Sequence, residues 1–90
     1  MLSKSIKITN AHGIHLRPAS KMSDCAMAYD SSISFIYANG KEANVKSVIS
    51  ILASGLKMGD TIELRADGPD EEEALKEVSR ALIDSMNMDD

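Results

Sequence analysis

Residues 33–45 read Ile33-Ser34-Phe35-Ile36-Tyr37-Ala38-Asn39-Gly40-Lys41-Glu42-Ala43-Asn44-Val45. Ile33, Phe35 and Tyr37 fall on every second position, the period of a strand with one buried face. Asn39-Gly40 tolerates the positive φ of a tight hairpin turn, and it returns the chain into a short strand near Glu42 to Val45. The stretch therefore predicts an antiparallel pair, and the flanking segments are read as additions to that sheet.

Upstream, Leu2, Ile6 and Ile8 recur at even spacing with Lys7 and Thr9 on the opposite face, which predicts another half-buried strand. Asn10 to Ile14 is a connection loosened by Gly13. From Pro18 the period lengthens: Ala19, Met22, Ala26 and Tyr29 lie three or four apart, with Cys25 beside them. This predicts a helix of about three turns with Pro18 in its first turn, where a missing N–H costs nothing. Pro18 also disfavours helical geometry at Arg17, so Arg17 is expected at the boundary, outside the helix.

Downstream, Ser47 precedes Val48-Ile49-Ser50-Ile51-Leu52-Ala53-Ser54, about two turns of helix, with Gly55 as its stop. After a turn at Lys57 to Asp60, Ile62, Leu64 and Ala66 form a fourth strand. Pro69-Asp70-Glu71-Glu72-Glu73 opens the last helix, with Asp70 as cap and Glu73 closing the capping box. Its expected buried stripe is Ala74, Val78, Ala81, Leu82 and Ser85, flanked by Leu75 and Met86; Met86 and Met88 are placed where the helix frays. The order is β-α-β-β-α-β-α. Strands with one apolar side and helices with one apolar stripe predict an α+β, open-faced two-layer sandwich: a four-stranded antiparallel sheet with three helices on one face. Lys7, Thr9, Ser34, Glu63 and Arg65 would occupy the solvated sheet face.

Ninety residues suit one domain, 1–90, with one modest core and no enclosed active-site cavity. Charged residues make up 27 % and apolar residues 43 %, as in ordinary globules. The net charge is −4 and the lysines are scattered, so no stripe tracks a nucleic-acid backbone and nucleic acid is disfavoured as a partner. A single cysteine, Cys25, permits no internal disulfide, and it reads as a small core residue rather than a thiol catalyst. Met-Leu-Ser-Lys-Ser-Ile-Lys-Ile-Thr shows no processing signal and no apolar run spans a bilayer. A cytoplasmic protein without membrane insertion is expected.

The segment that can carry chemistry is His12-Gly13-Ile14-His15-Leu16-Arg17-Pro18-Ala19. A histidine just outside a helix start faces first-turn amides that lack intrahelical acceptors. With the helix dipole and Arg17, those amides can hold a tetrahedral dianion without a metal. Neutral imidazole is a nucleophile near pH 7, so a phosphoryl group can reside on His15 itself. The competing reading is that His15 and Arg17 are ordinary solvated residues at a helix start.

Gly13-Ile14-His15-Leu16-Arg17-Pro18-Ala19 resembles the phosphohistidine signature of the HPr family, the histidine-containing phosphocarriers of the sugar phosphotransferase system. Lys46-Ser47-Val48-Ile49, with Gly55 closing the short helix, resembles the family's second signature. The resemblance spans about Lys4 to Ile83. It implies that His15 accepts a phosphoryl group on its δ nitrogen from the general first enzyme, charged by phosphoenolpyruvate, and donates it to sugar-specific acceptor domains. Leu16 and Arg17 would form the stabilising helix start, with no cofactor and no metal. Leu16, Ser20, Ser47, Val48, Ile49 and Leu52 match the family's docking surface. Ser47 matches a serine phosphorylated in some members by a dedicated kinase/phosphorylase, although a capping role alone explains its presence. A monomer is expected.

Three departures stand out. Ile33 to Asn39 is one residue longer than the family pattern, cheap if it enlarges the hairpin or forms a bulge and costly if it shifts register. His12 stands where many relatives have a small polar residue; it either modulates His15 or is a solvent-exposed loop histidine. Leu16 is bulkier than usual. A regulatory relative in a nitrogen-related phosphotransferase branch shares the signature, the longer hairpin and a last-helix entry like Gly68 to Leu75, and a docking regulator switched at Ser47 is a further alternative.

Overall fold

The structure is a computed structural model and describes residues 1–88; the acidic pair Asp89 and Asp90 lies outside the described residues. The order is β1 (Leu2–Lys7), α1 (Leu16–Ala26), β2 (Ser32–Tyr37), β3 (Lys41–Asn44), α2 (Val48–Ala53), β4 (Thr61–Asp67) and α3 (Glu71–Met88). The strands form one antiparallel sheet in the order β1-β4-β2-β3. Three helices cover one face, giving the expected two-layer sandwich. Ile6, Ile33, Phe35, Ala43, Ile62, Leu64 and Ala66 point from the strands into the core. Ala19, Met22, Ala26, Ile51, Val78 and Leu82 meet them from the helices. Phe35 and Leu64 are opposite one another on β2 and β4 and fully buried, so Phe35→Ala would cost about 3–5 kcal/mol.

The hairpin is wider than Asn39-Gly40 alone suggests. Tyr37 pairs with Lys41, so Ala38, Asn39 and Gly40 form a three-residue loop, with φ of 42°, 65° and 101°. The twist of the pair demands left-handed backbone, and here it extends back onto a residue with a Cβ. Both ladders of β2 keep an unbroken register, so the three-residue loop leaves the sheet pattern intact.

Three further sequence expectations are corrected. Arg17 is the second residue of α1, because the bias that Pro18 places on it is a preference that a first helical turn can override. The α3 stripe is Ala74, Val78, Ser79, Leu82, Ser85 and Met86; Ser79 is buried while Ala81 is only half-buried. Ser79 is accommodated because its hydroxyl donates to Lys76 O at 3.0 Å. Met86 is a core residue 5 % exposed, and the helix continues regularly to Met88.

The start of α3 also differs from a simple capping box. Asp70 reaches across to the α1–β2 connection, where its carboxylate accepts from Asp30 N and Ser31 N, both at 2.9 Å, and from Ser31 Oγ. The residue that turns back ahead of the helix is Glu71, whose Oε1 accepts from Gly68 N at 3.1 Å. Those bonds hold the Asp70 and Glu71 carboxyls below the usual carboxylate range, led by the Ser31 hydroxyl for Asp70 and the Gly68 amide for Glu71. On the open sheet face, Arg65 Nη2 lies 3.1 Å from Glu63 Oε1, and bonds from Arg65 and Ser3 lower the Glu63 carboxyl.

Candidate functional site

The chain from Ile8 to Ile14 is held by backbone bonds to the segment following α2. Ile8 N donates to Asp60 O and Gly59 N donates to Ile8 O, both at 2.8 Å. Asn10 closes the loop internally: Gly13 N donates to Asn10 O at 3.1 Å, and Asn10 Nδ2 to Gly13 O at 2.7 Å. Ile14 then buries its side chain and donates N–H to Leu56 O at 3.1 Å. Gly13 has φ +66°, and a Cβ there would stand 2.3 Å from Leu56 O and 2.7 Å from Lys57 Cα. Glycine is required at this position on both counts.

That anchorage delivers His15 to the N-cap of α1 in extended geometry, φ −110° and ψ −166°. Its carbonyl accepts from Ala19 N at 3.1 Å, while its imidazole makes no capping bond to the first turn. Pro18 has no N–H, so the amides of Leu16 and Arg17 are the first-turn donors without an intrahelical acceptor. No acidic residue occupies that turn. An anion beside His15 thus meets two amides and the positive end of an 11-residue helix, with no acidic side chain in its first turn and Arg17 two residues on in the chain. His15 is half-buried, and Leu16 and Arg17 are exposed, so the imidazole opens onto the surface.

His12 stands against His15. The ring centroids are 5.9 Å apart and the planes meet at 89°, an edge-to-face pair. His12 is thus both exposed and in ring contact with His15.

The second signature forms a neighbouring helix. Ser47 is the N-cap of α2 and its Oγ accepts from Ser50 N at 3.1 Å; Ser50 Oγ in turn accepts from Asn44 N at 2.9 Å. Ile51 is the buried residue of α2, whereas Ile49 is 80 % exposed and Leu52 38 %. Since α1 packs against α2, Leu16, Ile49 and Leu52 are apolar side chains left uncovered on adjoining helices. Val48, Ser20 and Ser47 are half-buried. Lys46 is committed elsewhere: its Nζ donates to Tyr29 O at 2.7 Å, tying the start of α2 to the end of α1.

The sequence shows a turn at Lys57 to Asp60 but not that this segment supports the His15 loop, nor the role of Asn10. The only local signal was Gly13, whose need for close approach is visible once its partner is known. Met27 and Met58 are also exposed, at 65 % and 60 %. Cys25 packs beside the core, and burial pushes its thiol up, with Glu77 adding to the effect. Among the described residues, no helix is long and apolar enough to cross a membrane.

Residues 2–84 match the PTS-HPr family model, described as the PTS HPr component phosphorylation site. The chain is 43 % identical over 84 residues to the phosphocarrier protein HPr of Buchnera aphidicola subsp. Acyrthosiphon pisum, covering 93 % of this chain and 98 % of that one. It is 34 % identical over 87 residues to HPr of Vibrio cholerae, covering 97 % and 100 %. A Mycoplasma histidine-containing phosphocarrier protein superposes with a TM-score of 0.90 at 32 % identity, covering 94 % of this chain and 97 % of that structure. The sheet order, the His15 corner and these likenesses agree: the chain belongs to the HPr family, the phosphocarriers of the phosphotransferase system.

Proposed function

We propose that His15 is the carrier residue. It takes a phosphoryl group from the general first enzyme, charged by phosphoenolpyruvate, and gives it to sugar-specific acceptor domains. The observation that carries this reading is the position of His15 at the N-cap of α1, beside two first-turn amides without intrahelical acceptors. The δ nitrogen of neutral imidazole forms the new P–N bond as the bond to the donor's histidine breaks; the reverse exchange delivers the group onward. Phosphoryl transfer passes through a loose transition state, so positioning and charge stabilisation supply most of the catalysis. The Leu16 and Arg17 amides and the Arg17 fork meet the phosphoryl oxygens, and no metal or cofactor takes part.

Leu16, Ser20, Ser47, Val48, Ile49 and Leu52 form the docking surface for both partners in this reading. The exposed aliphatics of α1 and α2 supply the apolar contact around the transferring group. A serine kinase/phosphorylase acting on Ser47 would place a dianion in that surface. The phosphocarrier names of the relatives favour the carrier role over a purely regulatory or nitrogen-branch role. The protein acts as a monomeric, single-domain cytoplasmic shuttle, which light scattering and fractionation test directly.

The assay is incubation with phosphoenolpyruvate and the first enzyme, followed by acid and base treatment. The carrier reading requires acid-labile, base-stable phosphate that His15→Ala abolishes while circular dichroism stays unchanged. Phosphate retained by the folded variant would refute the assignment.

A further inference from the structure

His12 is the one residue at this corner that the carrier reading leaves unused. It lies three positions before His15 on the loop pinned by Asn10, Gly13 and the Leu56–Asp60 turn. Its ring stands edge-to-face with that of His15 at 5.9 Å between centroids. An edge-to-face pair sets the edge of one ring toward the face of the other, so a group carried on His15 stands beside His12. The Leu16 and Arg17 amides approach the same group from the start of α1, while His12 belongs to the loop leading into it.

From this juxtaposition we propose that His12 is a phosphoryl-binding residue, donating a ring N–H to an oxygen of the group on His15. The inference rests on His15 being the carrier. A protonated ring would donate as a cation facing a dianion. The resulting bond is charge-assisted and stronger than one from a neutral ring. Charged groups on adjoining elements are Arg17, Lys21 and Asp24 on α1 and Lys57 and Asp60 on the supporting turn. Asp60 Oδ2 already accepts from Lys57 N at 3.0 Å. This chain therefore holds its phosphate more tightly in acid than in base, a dependence that an asparagine or serine at position 12 cannot supply.

The test is a partition experiment. Wild type and His12→Asn are mixed in equal amounts with limiting phosphoenolpyruvate and a trace of first enzyme until exchange is complete. The ratio of the two phosphorylated proteins reports their relative stability and is independent of docking rates. Asparagine keeps an N–H donor but cannot be protonated. Wild type is expected to hold about three- to tenfold more phosphate at pH 6, the ratio falling toward unity at pH 8.5. Ring nitrogen NMR of His12 should change when His15 is phosphorylated. A partition ratio independent of pH, with His12 ring signals unmoved by phosphorylation, would overturn the proposal. Label that persists in His15→Ala would instead remove the carrier reading and this inference with it.

Discussion

Gly13→Ala should be far more damaging than a surface glycine substitution normally is, and the reason lies in two separable terms. The first is backbone conformation: φ +66° costs a residue bearing a Cβ about 1–2 kcal/mol. The second is space. The new methyl would stand 2.3 Å from Leu56 O and 2.7 Å from Lys57 Cα, both backbone atoms, so the two segments have to separate. Separation breaks the 3.1 Å bond from Ile14 N to Leu56 O, worth about 0.5–1.5 kcal/mol, and loosens the packing of Ile14. The total is about 2–4 kcal/mol, or a fall in Tm of about 10–25 °C for a domain of this size. Gly55→Ala is the matched control: its φ is +64°, yet nothing lies within 4 Å of the added methyl. Both substitutions change the unfolded chain alike, so the difference between them isolates the clash. Urea titrations of the two variants should place Gly13→Ala about 1–2 kcal/mol below Gly55→Ala. Equal losses, within about 0.5 kcal/mol, would refute the idea that the Leu56–Asp60 turn holds the His15 loop by close contact.

Other perturbations probe separate parts of the molecule. Asp70 is depressed in the folded state, so it stabilises the fold above its unfolded pKa of about 3.9 and loses that effect as pH falls through its lower folded value. Urea melts of wild type and Asp70→Asn should therefore differ at pH 7 and converge toward pH 3; a constant gap would contradict the Ser31 tie. Ala38→Gly should raise stability by up to about 1 kcal/mol, because φ of 42° strains alanine, and a destabilised variant by the same melts would show that the loop is not strained. Phosphorylation of Ser47 should weaken binding to the first enzyme by about tenfold or more without unfolding α2, since a dianion at a helix start suits the dipole but opposes apolar docking. Titration calorimetry showing unchanged affinity for that phosphoform would remove Ser47 from the docking surface.

Much of this fold is legible because local and long-range preferences agree. Ile33, Phe35 and Tyr37 alternate as a strand whose neighbours also have one apolar face, and Asn39 supplies left-handed backbone where the hairpin needs it. Such agreement fixes element type, but it does not give strand order: nothing near Ile62 or Leu64 indicates that β4 inserts between β1 and β2. The start of α1 was misplaced because Pro18 disfavours helix at Arg17 locally, while packing of Pro18 and Ala19 on the core rewards it. The place of Asp70 just before α3 is legible locally, whereas its side-chain partners, 39 and 40 residues away, are not. At the functional corner, the His15 and Arg17 motif was visible as spacing. The support of that motif by Leu56 and the pairing of His12 with His15 exist only in three dimensions.

The most direct test of the carrier role follows the phosphoryl group through one complete passage. The protein is charged with isotopically labelled phosphoenolpyruvate and a trace of first enzyme, freed of both, and then chased with an unlabelled acceptor domain. Label should map to His15 before the chase, and its loss from His15 should equal its gain on the acceptor in amount and rate. Label on another residue, or label that stays on His15 while the acceptor is charged by another route, would contradict the assignment.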